Sequence, residues 1–444
     1  MKRVFPFVLL GALLLTACEP RDSTLSDTSS NISVGSDIIG GSYEERISTM
    51  ADTGIAIDAL DKTEKEVASY DELAPLGSAA HPLSNSSAEY LEILTFEQPS
   101  QYGDAYLFRA GEATIAMDFG HPSNYKYTDQ TSYYSELKNT YETYIDDGHL
   151  DLLILTHPHG DHYGGYQALK DAIDSVGMIV DYGYYSGGGE NYRKDIRDYY
   201  ADKGSAYHRI YDNVNEIDGG QKRTYITPDL FIDWLDTGYY TENYNDGPVV
   251  DDINVTSLAG ILAYRDFTFF FSGDLQDNAD GYYGNSGGLG ETNLVAINGD
   301  NNEIFHEVTM MKAAHHSSSK ANNDILLNTL EPKLVTISAG APSPDTSYGG
   351  KTGACAGHPH LQALSRFLTK GQKRVAPKIY LNFVNGTTSF VTDGLNKVYM
   401  EGSPLKMSYY GTSTNGTVSQ TYGSIEDIYN DILSSEWARV CHGL

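Results

Sequence analysis

Four side chains able to bind a divalent cation fall within six residues: His157, His159, Asp161 and His162. Imidazole and carboxylate together are the ligand set of zinc, and less often of manganese or iron. In an extended segment alternate side chains share a side, so His157 and His159 can grip one ion. Asp161 and His162 are adjacent and diverge from that pair, which suits a second ion beside the first. Pro158 and Gly160 stiffen and bend the backbone between the ligands. The bland reading, a polar loop with scattered histidines, leaves this spacing unexplained. Three further places carry the same chemistry: Asp274 after the aromatic run Phe267–Ser272, the pair His315-His316, and His358 in Gly-His-Pro.

Such residues need elements to position them. Asp151–Leu155 reads as a short buried strand and Tyr166–Ile173 as a helix. The loop between them therefore sits at the C-terminal end of a strand, where α/β proteins place ligand sites. Upstream, Tyr90–Phe96 alternates like a strand, and Gly103–Ala110 with Ala113–Gly120 reads as a hairpin turned at Gly111. Downstream, helices are expected at Tyr133–Ile145, Asn191–Lys203, Asn323–Leu330 and Leu361–Leu368. Strands are expected at Gly177–Tyr182, 225–237, Ile253–Tyr264, Phe267–Asp274 and Leu334–Ser338. Residues 275–303 read as surface loop. Lys378–Val384 and Thr388–Asp393 read as a closing hairpin around Asn385-Gly386.

The pattern His157-x-His159-x-Asp161-His162 resembles the signature of the metallo-β-lactamase fold superfamily. That resemblance implies an α/β chain folded as an αββα sandwich around two divalent metal ions. Zinc is the expected metal, with manganese as the alternative. Gly103-Asp104-Ala105 followed by two strands ending in Asp118-x-Gly120 resembles the hydrolase domain of ComEC-type competence proteins and their stand-alone relatives. So do Asn254-x-x-Ser257-Leu258 with the strand reaching Gly273-Asp274, the His315-His316-Ser317 stretch, and Gly357-His358-Pro359. The resemblance covers about Ser86 to Gly394. It implies that Asp118 holds the histidine loop by hydrogen bonds and that Asp274 bridges the metals. It makes His315 a ligand of the second metal, with His316 as the alternative or an oxyanion donor. His358 becomes a ligand or a general acid. Relatives carry glycine where this chain has Ser317. Many superfamily members complete the first metal site with another histidine. No histidine lies between His208 and His306, so His208 is either that ligand or a structural residue.

Residues 1–18 read as an export signal: Lys2 and Arg3, then the apolar run Val4–Leu15. Leu15-Thr-Ala-Cys18 resembles the bacterial lipobox, which implies cleavage before Cys18 and a lipid anchor there. Simple secretion is the alternative. Residues 19–85, rich in Ser, Asp and Gly, read as a tether, with a helix within 43–71. The hydrolase domain then spans 86–394, and 395–444 is an extension ending in a helix at Ile425–Trp437. With Cys18 lipidated, Cys355 and Cys441 remain in an oxidising compartment and are expected to pair. Independent thiols are the alternative.

Asp and Glu number 60 against 30 Lys and Arg, a formal charge of −30. Such a surface repels polyanions at long range and excludes global steering toward nucleic acid. The expectation is therefore a membrane-anchored, extracytoplasmic metallo-hydrolase using a dimetal-bound hydroxide. Its substrate is a phosphodiester of a nucleotide, nucleic acid or the cell envelope. Asp161, His316 and His358 are its expected catalytic groups. A carboxyl ester or lactone hydrolase of the same fold, and a non-catalytic surface metal-binding protein, are the alternatives.

Overall fold

A computed structural model describes residues 41–56, 82–84, 87–98, 102–121, 132–182, 189–209, 222–238, 253–277, 288–299, 305–339, 347–348, 351–352, 358–368, 375–401, 407–410 and 417–420. The signal, Cys18, Cys355, Cys441 and the helix expected at Ile425–Trp437 lie outside the described residues.

The strands run in chain order β1 (Ala51–Ala56), β2 (Leu91–Thr95), β3 (Ala105–Ala110), β4 (Ala113–Phe119), β5 (His149–Leu155), β6 (Ser175–Asp181), β7 (Ala206–Arg209), β8 (Lys222–Thr227), β9 (Leu230–Leu235), β10 (Ala259–Tyr264), β11 (Phe267–Phe271), β12 (Met310–Lys312), β13 (Leu334–Ile337), β14 (Ser347–Tyr348), β15 (Lys351–Thr352), β16 (Lys378–Leu381), β17 (Thr388–Thr392) and β18 (Lys397–Glu401). One sheet has the order β1-β18-β17-β2-β3-β4-β5-β6-β7, and a second β16-β13-β12-β11-β10-β9-β8. β2 to β5 and β10 to β13 are buried along nearly their whole length, so their side chains are covered on both faces. One core joins the two sheets. Tyr106 and Phe108 of β3 meet Phe269 of β11, with ring centroids 5.9 and 5.3 Å apart. The helices Ser132–Tyr144, Tyr166–Ala172 and Gly189–Ala201 add Leu137, Tyr141, Leu169 and Ile196 to that core. A second core sets Leu294, Leu327 and Leu364, from the helices Gly290–Asn298, Asp324–Leu330 and Leu361–Phe367, with Phe270 and Val335 of the second sheet. Apolar stripes on helices and doubly covered strands thus produce a helix–sheet–sheet–helix arrangement.

Strand direction explains where the site falls. β4, β5, β6 and β7 are mutually parallel, as are β11, β12, β13 and β16. The loops leaving β5, β11 and β12 carry His157–His162, Asp274 and His315-His316. β3 is antiparallel to β4, so Asp104, just before β3, arrives at the same end.

Five expectations change. The helix within 43–71 is confined among the described residues to Tyr43–Ile47; the chain then forms β1, which pairs with β18. Ala51–Ala56 and Lys397–Glu401, assigned by sequence to tether and extension, thus extend the first sheet. The strand at 225–237 is a hairpin, because Pro228 and Asp229 turn the chain between β8 and β9. Residues 290–298 of the expected loop are helical. The closing hairpin is absent: β16 lies in the second sheet and β17 in the first. The turn Asn382–Asn385 carries the chain across, held where Asn385 Oδ1 accepts from Leu381 N at 3.1 Å.

Candidate metal centre

Ligand-bearing loops can be rigid only if their backbones are tied down. Asp118, at φ +55°, turns its carboxylate onto the loop after β5. It accepts from Thr156 N at 2.9 Å, from the Thr156 hydroxyl, and from His162 Nδ1 at 2.8 Å. It therefore fixes both the loop entry and one imidazole. Gly103 is packed so closely that a Cβ there would lie 2.7 Å from Asp161 O and 2.5 Å from His121 N. No other residue type fits this contact between the two loops. Gly273 turns at φ +50°, and a Cβ on it would meet Thr156 Oγ1 at 2.9 Å.

The tautomers follow from these ties. With Nδ1 facing Asp118, the Nε2 of His162 faces Asp274 Oδ1 at 3.2 Å. His316 Nδ1 faces Ser338 O at 3.0 Å. Its Nε2 then points to Asp161 Oδ2 at 3.2 Å and Asp274 Oδ1 at 3.4 Å. His157 Nδ1 meets Ser257 Oγ at 3.0 Å, and the same hydroxyl accepts from Asp274 N at 3.0 Å. Among the described residues, His157 Nε2, His162 Nε2 and both Asp274 carboxylate oxygens are buried without a hydrogen-bond partner. Buried acceptors converging on one another are costly unless a cation lies among them.

Two groups of ligand atoms result, each within 4.8 Å: His157, His159 and Asp274, and Asp104, His162, Asp274 and His316. Proximity places Asp104 in the second group, but facing separates it. Its oxygens lie on the Nδ1 sides of His316 (3.4 Å) and His162 (3.8 Å), behind the imidazoles. There it pairs with the buried ammonium of Lys312 at 2.5 Å, which also donates to Gly273 O at 2.6 Å. Asp104 is thus an orienting carboxylate, while Asp161 stands on the Nε2 side. Neither role of Asp104 nor Lys312 is evident from sequence; the Gly-Asp-Ala motif was the available signal.

Sequence names His315 as a ligand with His316 as the alternative, and the backbone turns the two rings to different parts of the cluster. His315, His316 and Ser317 all have left-handed φ of 45, 47 and 63°, a conformation costing about 1–2 kcal/mol per non-glycine residue. The consequence is that His316 enters the group with His162. His315 Nδ1 meets Gln276 Oε1 at 2.7 Å, and its Nε2 looks at the other Asp274 oxygen, Oδ2, from 3.7 Å. His358 lies beside the cluster, its ring centroid 5.3 Å from His315 and 4.7 Å from Tyr102. Its Nδ1 is buried without a partner among the described residues. His208 has its backbone in β7, paired with Val180; its side chain lies outside the description.

Electrostatics match this picture. Against the penalty of burial, Asp274 and Asp118 hold His162 well above its ordinary pKa, and Asp274 and Asp104 do the same for His316. Burial, reinforced by neighbouring imidazoles, pushes His157 and His358 well below theirs. Despite burial, His316 and His162 hold Asp274 well below the carboxylate range. Without cations, His162 and His316 balance the carboxylates by taking protons. The fold and this His/Asp cluster suggest a dimetal site.

The model of the metallo-beta-lactamase superfamily matches residues 101–340. None of the curated proteins matches the chain. Among solved structures, the metallo-beta-lactamase fold protein YhfI from Bacillus subtilis is 11% identical. That alignment covers 68% of this chain and 98% of YhfI, with TM-score 0.36. Unliganded yeast PDE1 is 10% identical over 67% of this chain and 98% of its own, with TM-score 0.37. A long form RNase Z from yeast is 13% identical over 80% and 47%, with TM-score 0.35. With the family model spanning the strands and loops that assemble the His/Asp cluster, the chain belongs to the metallo-beta-lactamase superfamily.

Proposed function

We propose that this protein is an exported, lipid-anchored metallo-hydrolase that cleaves phosphodiesters. The observation that carries the reading is buried charge. Asp104, Asp118, Asp161 and Asp274 are buried in one cluster with a single buried ammonium, Lys312. Three negative charges are left over. Two divalent cations would offset them, which supports a metallo-hydrolase; the preference for a phosphodiester over a neutral ester or lactone rests on the sequence resemblance. Asp161, His162 and His316 would hold one cation, and His157, His159 and His315 the other. Asp274, common to both groups, would serve both. Bound there, such ions would supply an acidified water and polarisation of the scissile group.

The protein's own residues orient and exclude. Asp118, Ser338, Ser257 and Gln276 engage the Nδ1 atoms of His162, His316, His157 and His315 and so turn their Nε2 atoms towards the cluster before any cation binds. His358 is held neutral by burial and by His315. It therefore meets substrate as an N–H donor to a developing oxyanion, and acts as a general acid only once an anion beside it raises its pKa. The resemblance at Leu15-Thr-Ala-Cys18 supports the lipid anchor, and the −30 charge favours small or envelope phosphodiesters over long nucleic acid.

The test is hydrolysis of bis(p-nitrophenyl) phosphate by the full-length chain in detergent with zinc or manganese, beside Asp161→Ala. Turnover lost in the variant is expected. A folded, metal-loaded wild type that ignores this diester but opens a nitrophenyl ester or lactone would overturn the substrate assignment.

A further inference from the structure

Lys312 is the one buried lysine among the described residues, 1% exposed at the end of β12. A lysine is almost never fully buried unless its charge is matched. Here an ammonium occupies the last position of a strand, Met310-Met311-Lys312, that is buried throughout. Matching one carboxylate would be its bland role, and its contacts go further.

Lys312 Nζ pairs with Asp104 at 2.5 Å and donates to Gly273 O at 2.6 Å. The same carbonyl accepts from His315 N at 3.1 Å. Gly273 follows β11 and precedes Asp274, whereas Lys312 ends β12 and stands three residues before His315. β11 and β12 are parallel neighbours. One ammonium thus braces two adjoining strand exits against each other, and each exit carries ligands of the candidate centre. Asp104 brings in a third segment. Its N donates to Asp161 O at 3.3 Å. Its carboxylate stands 3.4 and 3.8 Å from the Nδ1 atoms of His316 and His162. The loops bearing His157–His162, Asp274 and His315-His316 are therefore linked through one side chain that faces none of the converging Nε2 atoms.

We infer that Lys312 is a positioning residue of the metal centre: its ammonium spaces the three ligand-bearing loops before a cation binds, beyond balancing the charge of Asp104. The inference rests on the proposed dimetal centre and not on the choice of substrate. Charge and position make opposite predictions. By Coulomb's law alone, removing a positive charge beside the cations tightens their binding. Removing a brace weakens it.

The experiment measures zinc affinity of the full-length chain in detergent by competition with a chromophoric chelator. It compares wild type with Lys312→Met, and Asp104→Asn with the double variant Asp104→Asn/Lys312→Met. The charge-matched double variant keeps the test open should Asp104, left charged and unpaired, unfold the single one. Melting temperatures of the chelator-treated proteins separate loss of fold from loss of affinity. The expected result is that Lys312→Met weakens zinc binding about tenfold or more in either background. A folded Lys312 variant that binds zinc as tightly as its parent, or more tightly, would make the ammonium a counter-charge only and overturn the inference. So would a wild type that binds no zinc. Diester turnover, measured on the same wild-type sample, reports separately on the substrate.

Discussion

At the scale of single residues, much of the candidate metal site is made by groups that stand behind the converging ligand atoms. Asp118 is the clearest case, because one carboxylate fixes Thr156 and sets the His162 tautomer. Asp118→Asn keeps the shape but can present an N–H where His162 Nδ1 needs an acceptor. Loss of such an orienting partner costs about 10–100-fold in metal affinity. Competition with a chromophoric chelator should show that loss, with the circular dichroism spectrum unchanged; unaltered affinity would refute the assignment. Asp118, like His157–His162, was legible in sequence because it sits in a local pattern. Asp104 was half legible: its motif stands out, but its partner Lys312 is over two hundred residues away and reaches it only through the sheet. How His315 and His316 divide between the two groups was not legible, since backbone handedness decides where each ring points.

At the scale of elements, the first sheet reaches beyond the family match at 101–340. β1 and β18 add an edge, and the helix Tyr43–Ile47 is bolted to it by Arg46. That guanidinium is 2% exposed. It pairs with Glu92 of β2, donates to Ser389 Oγ of β17 at 3.1 Å, and reaches Glu401 of β18 at 3.4 Å. Glu92 also accepts from Tyr144 at 3.2 Å. Arg46→Ala would leave Glu92 buried beside tyrosine and serine without a cation, at a cost of about 3–5 kcal/mol. Urea unfolding should report a fall of that size, and a change below about 1 kcal/mol would mean the segment is ornamental. Sequence suggested a loose tether here because a single five-residue helix and one edge strand give too short a periodic signal. The hairpin expected near Asn385-Gly386 failed for a related reason. Turn chemistry is local, but which sheet receives each flanking strand depends on contacts such as β13 with β16.

At the scale of the whole molecule, the sandwich concentrates negative charge at the one end where its parallel strands point, and stability must answer to that. In the metal-free protein, His162 and His316 have folded pKa values well above the unfolded 6.5. Their contribution to stability is fully present below the unfolded pKa and is lost as pH rises through the folded values. In the metal-loaded protein the dependence is reversed. Ligand imidazoles must be deprotonated, so metal affinity, and with it the stabilisation by binding, rises with pH. The difference in melting temperature between metal-loaded and chelator-treated protein should therefore widen from pH 6 to pH 8. Differential scanning calorimetry across that range decides the matter. A widening gap ties the folding of this sandwich to its cations through the two imidazoles, whereas a constant gap would mean that the buried carboxylates are balanced some other way.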